Sequence, residues 1–85
     1  MGNREKEKNN DIYYLTLGRN PHVEMQGNKA FALSGKFSIA EYSDEEIKIK
    51  TTGMFITILG NGLNITFATD TNIFVTGEII SVEFN

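Results

Sequence analysis

The 85-residue chain has 40% hydrophobic residues, nine aromatic side chains and a net charge of −3. This is the size and composition of one small globular domain rather than of a disordered chain. The chain contains no cysteine, which excludes a disulfide framework, a thiolate metal site and a cysteine nucleophile.

Charge and hydropathy narrow the classes of partner. From Pro21 onward the chain has four lysines and eight carboxylates, which is a mildly acidic balance. Nucleic acid requires a basic protein face and anionic lipid attracts basic segments, so neither is an expected partner. No run approaches the roughly 18 apolar residues that cross a membrane, so no direct membrane span is expected. The lack of cysteine also fits a cytoplasmic protein.

The first ten residues contain no apolar side chain after Met1, and we interpret residues 1–10 as a flexible, solvated tail. Residues 11–85 are expected to form a single β domain. Within it, residues 12–17 (Ile-Tyr-Tyr-Leu-Thr-Leu) are rich in strand-forming side chains. Residues 18–21 (Gly-Arg-Asn-Pro) then interrupt the run, which predicts a first strand that ends at Leu17.

Short alternating runs separated by turn residues follow between residues 22 and 42. Alternation with a period of two predicts strands with one face turned toward a core. Val23 and Met25 are predicted to point inward, and a turn is predicted at Gly27-Asn28. Further pairs that share one face of a strand are Phe31 with Leu33, and Phe37 with Ile39.

Residues 46–67 carry the clearest pattern in the chain. Residues 46–51 alternate isoleucine with charged side chains, whereas residues 54–59 are largely apolar on both faces, which predicts a central strand. Residues 43–45 predict a turn of the Asx or Ser type. Asn61-Gly62 lies between two apolar runs, and this pair is typical of a type I′ hairpin turn. We therefore expect one strand to end at residue 60 and another to begin at Leu63.

The last stretch, residues 73–84, is strand-like but changes its inward face. The inward set is predicted to pass from Ile73 and Val75 to Ile80, Val82 and Phe84. One extra residue reverses the faces of a strand, so a β-bulge near Gly77-Glu78 is expected.

The fold class that follows is all-β, with seven or eight short strands. An antiparallel meander is expected, forming a sandwich, roll or partly open barrel of about seven strands. The alternative is a short β-solenoid, because several alternating runs end in glycine (Gly53, Gly60 and Gly77).

Candidate chemistry is sparse. His22 is the single histidine, and one good ligand does not make a metal site, so it is expected to be a surface strand residue. Asp44, Glu45 and Glu46 are consecutive, and consecutive strand residues point to opposite faces, so they do not match a calcium loop. We expect no cofactor, no metal and no enzymatic activity.

From Pro21 to Phe84 the chain resembles the YabP/YqfC family of sporulation proteins of endospore-forming Firmicutes, and it is closer to the YqfC branch. The resemblance covers residues 21–29, 39–51, 53–58, 60–65 and 77–84, in that order. It implies a small non-enzymatic protein that acts in spore cortex, coat or engulfment-stage assembly. It supplies no catalytic residues, and residues 1–20 do not align with it.

Two functions are therefore expected from the sequence. The first is a structural or interaction module for other sporulation proteins, placed in the mother cell or at the forespore envelope, with any membrane contact made through a partner. Its interaction surface would comprise Ile12, Tyr13, Tyr14, Leu15, Leu17 and Tyr42, and a homo-oligomer is compatible with the apolar residues on both strand faces. The second is a module that binds a small ligand or cell-wall glycan through exposed tyrosines.

Overall fold

The computed structural model describes residues 21–85, and in that part of the chain it shows six β-strands and no helix. The strands are β1 (His22–Gln26), β2 (Ala30–Ser34), β3 (Phe37–Tyr42), β4 (Glu46–Thr51), β5 (Met54–Ala68) and β6 (Asn72–Phe84). Every neighbouring pair is antiparallel, and the strands form one sheet in the order β1-β2-β6-β5-β4-β3. The predicted all-β antiparallel fold is confirmed. The β-solenoid alternative is wrong, because solenoid coils stack parallel strands.

The link between β2 and β3 shows that the sheet curls over itself. These strands lie four places apart in the sheet order, which corresponds to about 19 Å across a flat sheet. Only residues 35 and 36 connect them, and three Cα steps span at most about 11 Å. A flat sheet is therefore impossible, and the end of β2 meets the start of β3 at a corner of a folded sheet.

Within residues 21–85, a single hydrophobic cluster fills the inside of this curled sheet. Its side chains come from four different strands and include eight that are almost fully removed from water. These eight are Phe31, Leu33, Ile47, Ile49, Ile56, Ile58, Ile73 and Val75. A one-layer sheet cannot cover side chains so completely, so the two halves of the curled sheet must face each other. Burial of each such side chain stabilises the fold by roughly 1.5–3 kcal/mol.

The two longest strands, β5 and β6, belong to both halves of the sheet. Their pairing shifts register at three places, between Leu59 and Gly60, between Asn61 and Asn64, and between Ile65 and Phe67. A Cβ at Gly60 would collide with the carbonyl oxygen of Glu78. Because bulges increase local bend and twist, these shifts allow the long β5–β6 hairpin to bend and to contribute strands to both halves of the sheet.

The predicted hairpin turn at Asn61-Gly62 is wrong. Gly62 does adopt a positive φ of 61°, but β5 runs through it without reversing direction. A type I′ turn needs two residues with positive φ, and among the described residues only glycines have one. The carbonyl groups of Asp44 and Glu45 accept hydrogen bonds from the N–H groups of Leu63 and Gly60, at 2.9 and 3.0 Å. These tertiary bonds hold β5 extended, so the pair forms a bulge instead of a turn.

The change of inward face in β6 occurs later than predicted. Ile79 is 5% exposed and belongs to the core, whereas Ile80 is 68% exposed and Phe84 is 58% exposed. The extra residue on β6 is Ile80, since the pairing passes from Leu59–Ser81 to Gly60–Ile79. A register shift does lie beside Gly77, as predicted, but the extra residue is on β5 and not on β6. The pairing there passes from Asn61–Glu78 to Asn64–Thr76, which is three steps along β5 and two along β6.

The edge strand β1 also departs from its pattern. Met25 shares a face with the core residue Phe31, its cross-strand partner, yet it is 45% exposed. The alternating pattern therefore predicted the correct face for Met25. Its side chain is nevertheless exposed, because none of the described residues covers that end of the edge strand. The predicted strand at residues 12–17, the tail at residues 1–10 and the domain boundary at residue 11 lie outside the described residues.

Candidate interaction surface

The sheet has two outer strands, and each has a single neighbour within residues 21–85. Among the six described strands, β1 pairs only with β2, and β3 pairs only with β4. One side of each outer strand therefore presents backbone N–H and C=O groups that no other strand of residues 21–85 lies beside. Such edges accept an additional strand from another segment or another protein.

The β3 edge is the more exposed of the two, because only Phe37 at its start is half-buried. Ile39 is 42% exposed although it is paired with the fully buried Ile49 and lies on the core side of the sheet. The pairing with β4 shifts between Ile39 and Glu41, so Ala40 is an extra residue on β3. Ile39 is therefore an exposed apolar side chain on the core side of an outer strand. The described strands do not fully cover the core at this edge.

Tyr42, the one residue of the predicted interaction surface that lies in the described part of the chain, is 52% exposed. Its hydroxyl donates a hydrogen bond to Asn64 Oδ1 at 3.2 Å and accepts one from the Ile65 N–H at 3.3 Å. The ring thus offers apolar surface while the hydroxyl connects β3 to β5 beside a register shift. The other predicted residues, Ile12, Tyr13, Tyr14, Leu15 and Leu17, lie outside the described residues.

The β1 edge is polar by comparison. His22 Nε2 lies 3.3 Å from Glu24 Oε2, and the two side chains are 42% and 73% exposed. Residues 21–85 contain no group of three or more His, Cys, Asp or Glu side chains that could hold a metal ion. Within that part of the chain His22 lies on a surface strand, in an exposed pair with a carboxylate.

An aromatic patch on the outer face of the sheet was not anticipated from the sequence. Phe67 and Phe74 are directly opposite each other on β5 and β6, and they are 58% and 38% exposed. Phe74 must point outward, because its neighbours Ile73 and Val75 are both in the core. The hydroxyl of Thr66 donates to the Phe74 carbonyl oxygen at 3.2 Å, which satisfies an acceptor at the bulge. We call this pair the Phe67–Phe74 patch.

A shallow groove runs beside the Phe67–Phe74 patch. Its floor is formed by Ala30 and Ala32 of β2, the small residues that alternate with the large core residues Phe31 and Leu33 along that strand. The groove has a volume of about 440 Å³ and is lined by Glu24, Met25, Gln26, Ala30, Ala32 and Phe74. The small side chains of β2 were a signal in the sequence, but the aromatic wall depends on the pairing of β2 with β6.

Comparison with known families accounts for most of the chain. The family model described as the YabP family matches residues 18–85. The chain belongs to the YabP family. The match includes all six strands and both surfaces described above, and the YabP family points to a sporulation-related protein.

Neither a curated protein nor a solved structure matches the chain significantly. None of the described residues forms a helix that is long and apolar enough to cross a membrane.

Proposed function

We propose that this YabP-family chain is a non-enzymatic interaction module in spore assembly, which binds another sporulation protein through the outer face of its sheet. It would act in the mother-cell cytoplasm, at the surface of the developing spore, during cortex, coat or engulfment-stage assembly. Any contact with a membrane would be made through the partner.

The observation that carries this proposal is the Phe67–Phe74 patch. Two phenylalanines on adjacent strands face solvent, and a groove with an alanine floor lies beside them. Contiguous apolar surface of this kind marks protein-binding sites, and aromatic residues are enriched in the centres of protein interfaces. A side chain of a partner could enter the groove over Ala32 and pack against Phe74.

The chemistry around the groove supports binding rather than catalysis. Among the described residues, Glu24 is the one carboxylate that lines it, and its exposed side chain is paired with the exposed His22. Catalytic acids and bases usually owe their reactivity to burial and to close charged neighbours. The groove offers apolar contact area instead, which favours affinity for a protein surface.

The proposal is tested by replacing the patch in an endospore-forming bacterium from which the chain has been deleted. The variant carries Phe67→Thr and Phe74→Thr, since threonine preserves strand propensity while removing the rings. Phe55→Thr is the matched control, because Phe55 is 37% exposed, nearly the same as Phe74, and lies elsewhere on the sheet. The readouts are the yield of heat-resistant spores and the position of a fluorescent fusion.

We expect the double variant to reduce the spore yield at least tenfold and to lose localisation at the developing spore, with Phe55→Thr close to wild type. If the double variant and Phe55→Thr behaved alike at equal protein level, the Phe67–Phe74 patch would not be the binding surface. A deletion strain that forms heat-resistant spores normally would contradict a role in spore assembly.

The glycan-binding alternative makes a different prediction. It requires exposed tyrosines, and the hydroxyl of Tyr42 is already engaged with Asn64 and Ile65. Calorimetry with soluble peptidoglycan fragments tests it directly. Saturable heat that disappears on Tyr42→Ala but persists in the double phenylalanine variant would replace the protein-binding proposal.

A further inference from the structure

We propose that β3 pairs with β3 of a second copy of the chain, antiparallel and about a two-fold axis, which joins two sheets at this edge. This inference goes beyond the proposed function, because it concerns the β3 edge and a second copy, not the Phe67–Phe74 patch and a different protein. It rests on the apolar side chains of β3, on its bulge and on the charges at its two ends.

The large apolar side chains of β3 lie on the core side of the sheet. They are Phe37, Ile39 and Tyr42, and their pairing partners on β4 are all buried. Phe37 packs in part against the core, whereas Ile39 and Tyr42 remain exposed. No strand within residues 21–85 lies on their far side. A further strand at this edge would therefore remove apolar surface from water.

The bulge in β3 restricts which strand can pair there. Ala40 is an extra residue, so Ser38 and Glu41 share the outer face although three positions separate them. A regular strand alternates its faces without interruption and can match only one end of β3. Bulges on outer strands discourage pairing with regular strands for this reason.

A second copy of β3 carries the same interruption and matches both ends. One antiparallel register pairs all six residues of the strand with their faces in agreement. Its pairs are Ile39 with Ala40, Phe37 with Tyr42 on the core side, and Ser38 with Glu41 on the outer face. The two-fold axis repeats each pair, and directly opposed aromatic residues stabilise adjacent strands.

The two ends of β3 carry opposite charge. Lys36 precedes the strand and lines the same shallow depression as Lys50. Glu41 and the acidic residues 44–46 lie at the other end. In the two-fold arrangement the basic end of each copy lies beside the acidic end of the other. Lys36 is two residues from the position opposite Glu41 of the second copy, which is within reach of its long side chain.

These charges have no partner in the described part of their own chain. The one ion pair within residues 21–85 joins His22 and Glu24, so Lys36 and Glu41 both lack an opposite charge within 4.0 Å there. Complementary charges of this kind contribute mainly to the choice of partner and of register.

The β1 edge does not offer the same match. β1 has five residues with Glu24 at its centre. Antiparallel pairing of the whole strand with its copy would place Glu24 opposite Glu24, and like charges directly opposite each other are destabilising. The second copy is therefore assigned to β3.

Disulfide trapping between two single-cysteine variants tests the interface and its register, because the chain has no native cysteine. Full-length Ser38→Cys is mixed with full-length Glu41→Cys and oxidised mildly. Opposite residues of antiparallel strands lie within the distance that a disulfide bridges. We expect a covalent dimer that contains one copy of each variant, identified by peptide mass mapping.

The matched control replaces Glu41→Cys by Glu83→Cys in the mixture. Glu83 is also an exposed carboxylate, and it lies in the same row across the sheet, three strands away from β3. Its mixed dimer with Ser38→Cys is expected to form at least tenfold more slowly. Equal rates for the two mixtures would overturn the inference, since the cross-links would then report random collisions.

Sedimentation velocity on the full chain measures the association itself. We expect the wild-type chain to be a dimer, and Ile39→Asp to weaken the dimer at least tenfold while Ile80→Asp, at a more exposed isoleucine, does not. Lys36→Glu and Glu41→Lys change exposed side chains and should preserve the fold. Each is expected to weaken the dimer several-fold, and the variant with both changes is expected to recover the wild-type affinity.

Three results would contradict a β3–β3 dimer. A wild-type chain that stays monomeric at high micromolar concentration would exclude the second copy. A monomer whose β3 amides are protected from hydrogen exchange would show that another segment of the same chain occupies the edge. A dimer that survives Ile39→Asp but dissociates in the Phe67→Thr, Phe74→Thr variant would place the interface at the Phe67–Phe74 patch.

Discussion

The hydroxyl of Tyr42 accepts a hydrogen bond from the backbone N–H of Ile65 at 3.3 Å and thereby connects the outer strand β3 to the far half of β5. The same hydroxyl donates to the side chain of Asn64 at 3.2 Å. Asn64 and Ile65 lie between two register shifts of the β5–β6 pairing. Tyr42 therefore supports the backbone where the long hairpin changes its register.

Tyr42→Phe removes this support while preserving the ring. We expect a loss of about 1 kcal/mol in the free energy of unfolding, because the Ile65 N–H loses its partner but remains accessible to water. For a domain of this size the melting temperature should fall by about 4–8 °C. Thermal unfolding followed by circular dichroism measures the change, and an unchanged melting temperature would show that water replaces the hydroxyl.

Gly60→Ala is expected to destabilise the fold by about 3 kcal/mol, since its Cβ would collide with the Glu78 carbonyl oxygen of the neighbouring strand. Gly53→Ala is the comparison. Gly53 has a φ of 85° but no atom lies within 4 Å of a Cβ there, so only backbone strain of about 1 kcal/mol is expected. Urea unfolding of the two variants measures the difference. If Gly60→Ala and Gly53→Ala lost the same unfolding free energy, β5 and β6 would be able to move apart at Gly60 with little cost.

A pair of isoleucine variants tests the faces of the long strands. Ile58 is fully buried, and Ile58→Ala should lower the free energy of unfolding by about 2–5 kcal/mol. Ile80 is 68% exposed, and Ile80→Ala should change it by less than about 0.5 kcal/mol. The same denaturant titration serves both variants. A large loss of unfolding free energy in Ile80→Ala would show that the Ile80 side chain is buried in the core.

Ser43 caps the turn between β3 and β4. Its Oγ accepts hydrogen bonds from the N–H groups of Glu45 and Glu46 at 3.2 and 3.0 Å, so the predicted Ser-type turn is confirmed. We expect Ser43→Ala to cost about 1 kcal/mol and Ser43→Asp, which retains an acceptor, to cost less. Chemical denaturation of the two variants provides the measurement. If Ser43→Asp were the more damaging of the two, repulsion from the adjacent Asp44 and Glu45 would dominate the turn.

The parts of the fold that the sequence predicted are those set by neighbours along the chain. Alternation grouped Phe31 with Leu33, and Ile47 with Ile49, on one face of their strands, and all four side chains are buried. The same local reasoning failed at Asn61-Gly62, because the hydrogen bonds that keep β5 extended are accepted by the carbonyl groups of Asp44 and Glu45, which are distant from that pair along the chain. The tendency of Asn61-Gly62 to form a turn competes with these hydrogen bonds, and the extended conformation that the bonds stabilise prevails.

The candidate surface was harder to predict for the same reason. The Phe67–Phe74 patch exists only because the β5–β6 pairing shifts register between Ile65 and Phe67, which places two aromatic residues opposite each other. Alternation alone would have grouped Phe67 with the inward residues Leu63 and Ile65. The groove additionally requires that β2 be adjacent to β6, and no local pattern specifies that pairing.

The position of β6 between β2 and β5 also determines the order in which the chain can fold. β3, β4 and β5 form consecutive hairpins and can pair as soon as they are synthesised, but Ser34 and Asn72, which pair across β2 and β6, are 38 residues apart. Until β6 emerges from the ribosome, one side of β2 has no partner and the core side of the first hairpin has no cover. Formation of the first hairpin's final contacts is thus coupled to synthesis of β6, and the chain is most vulnerable to proteolysis and strand mispairing just before β6 is made.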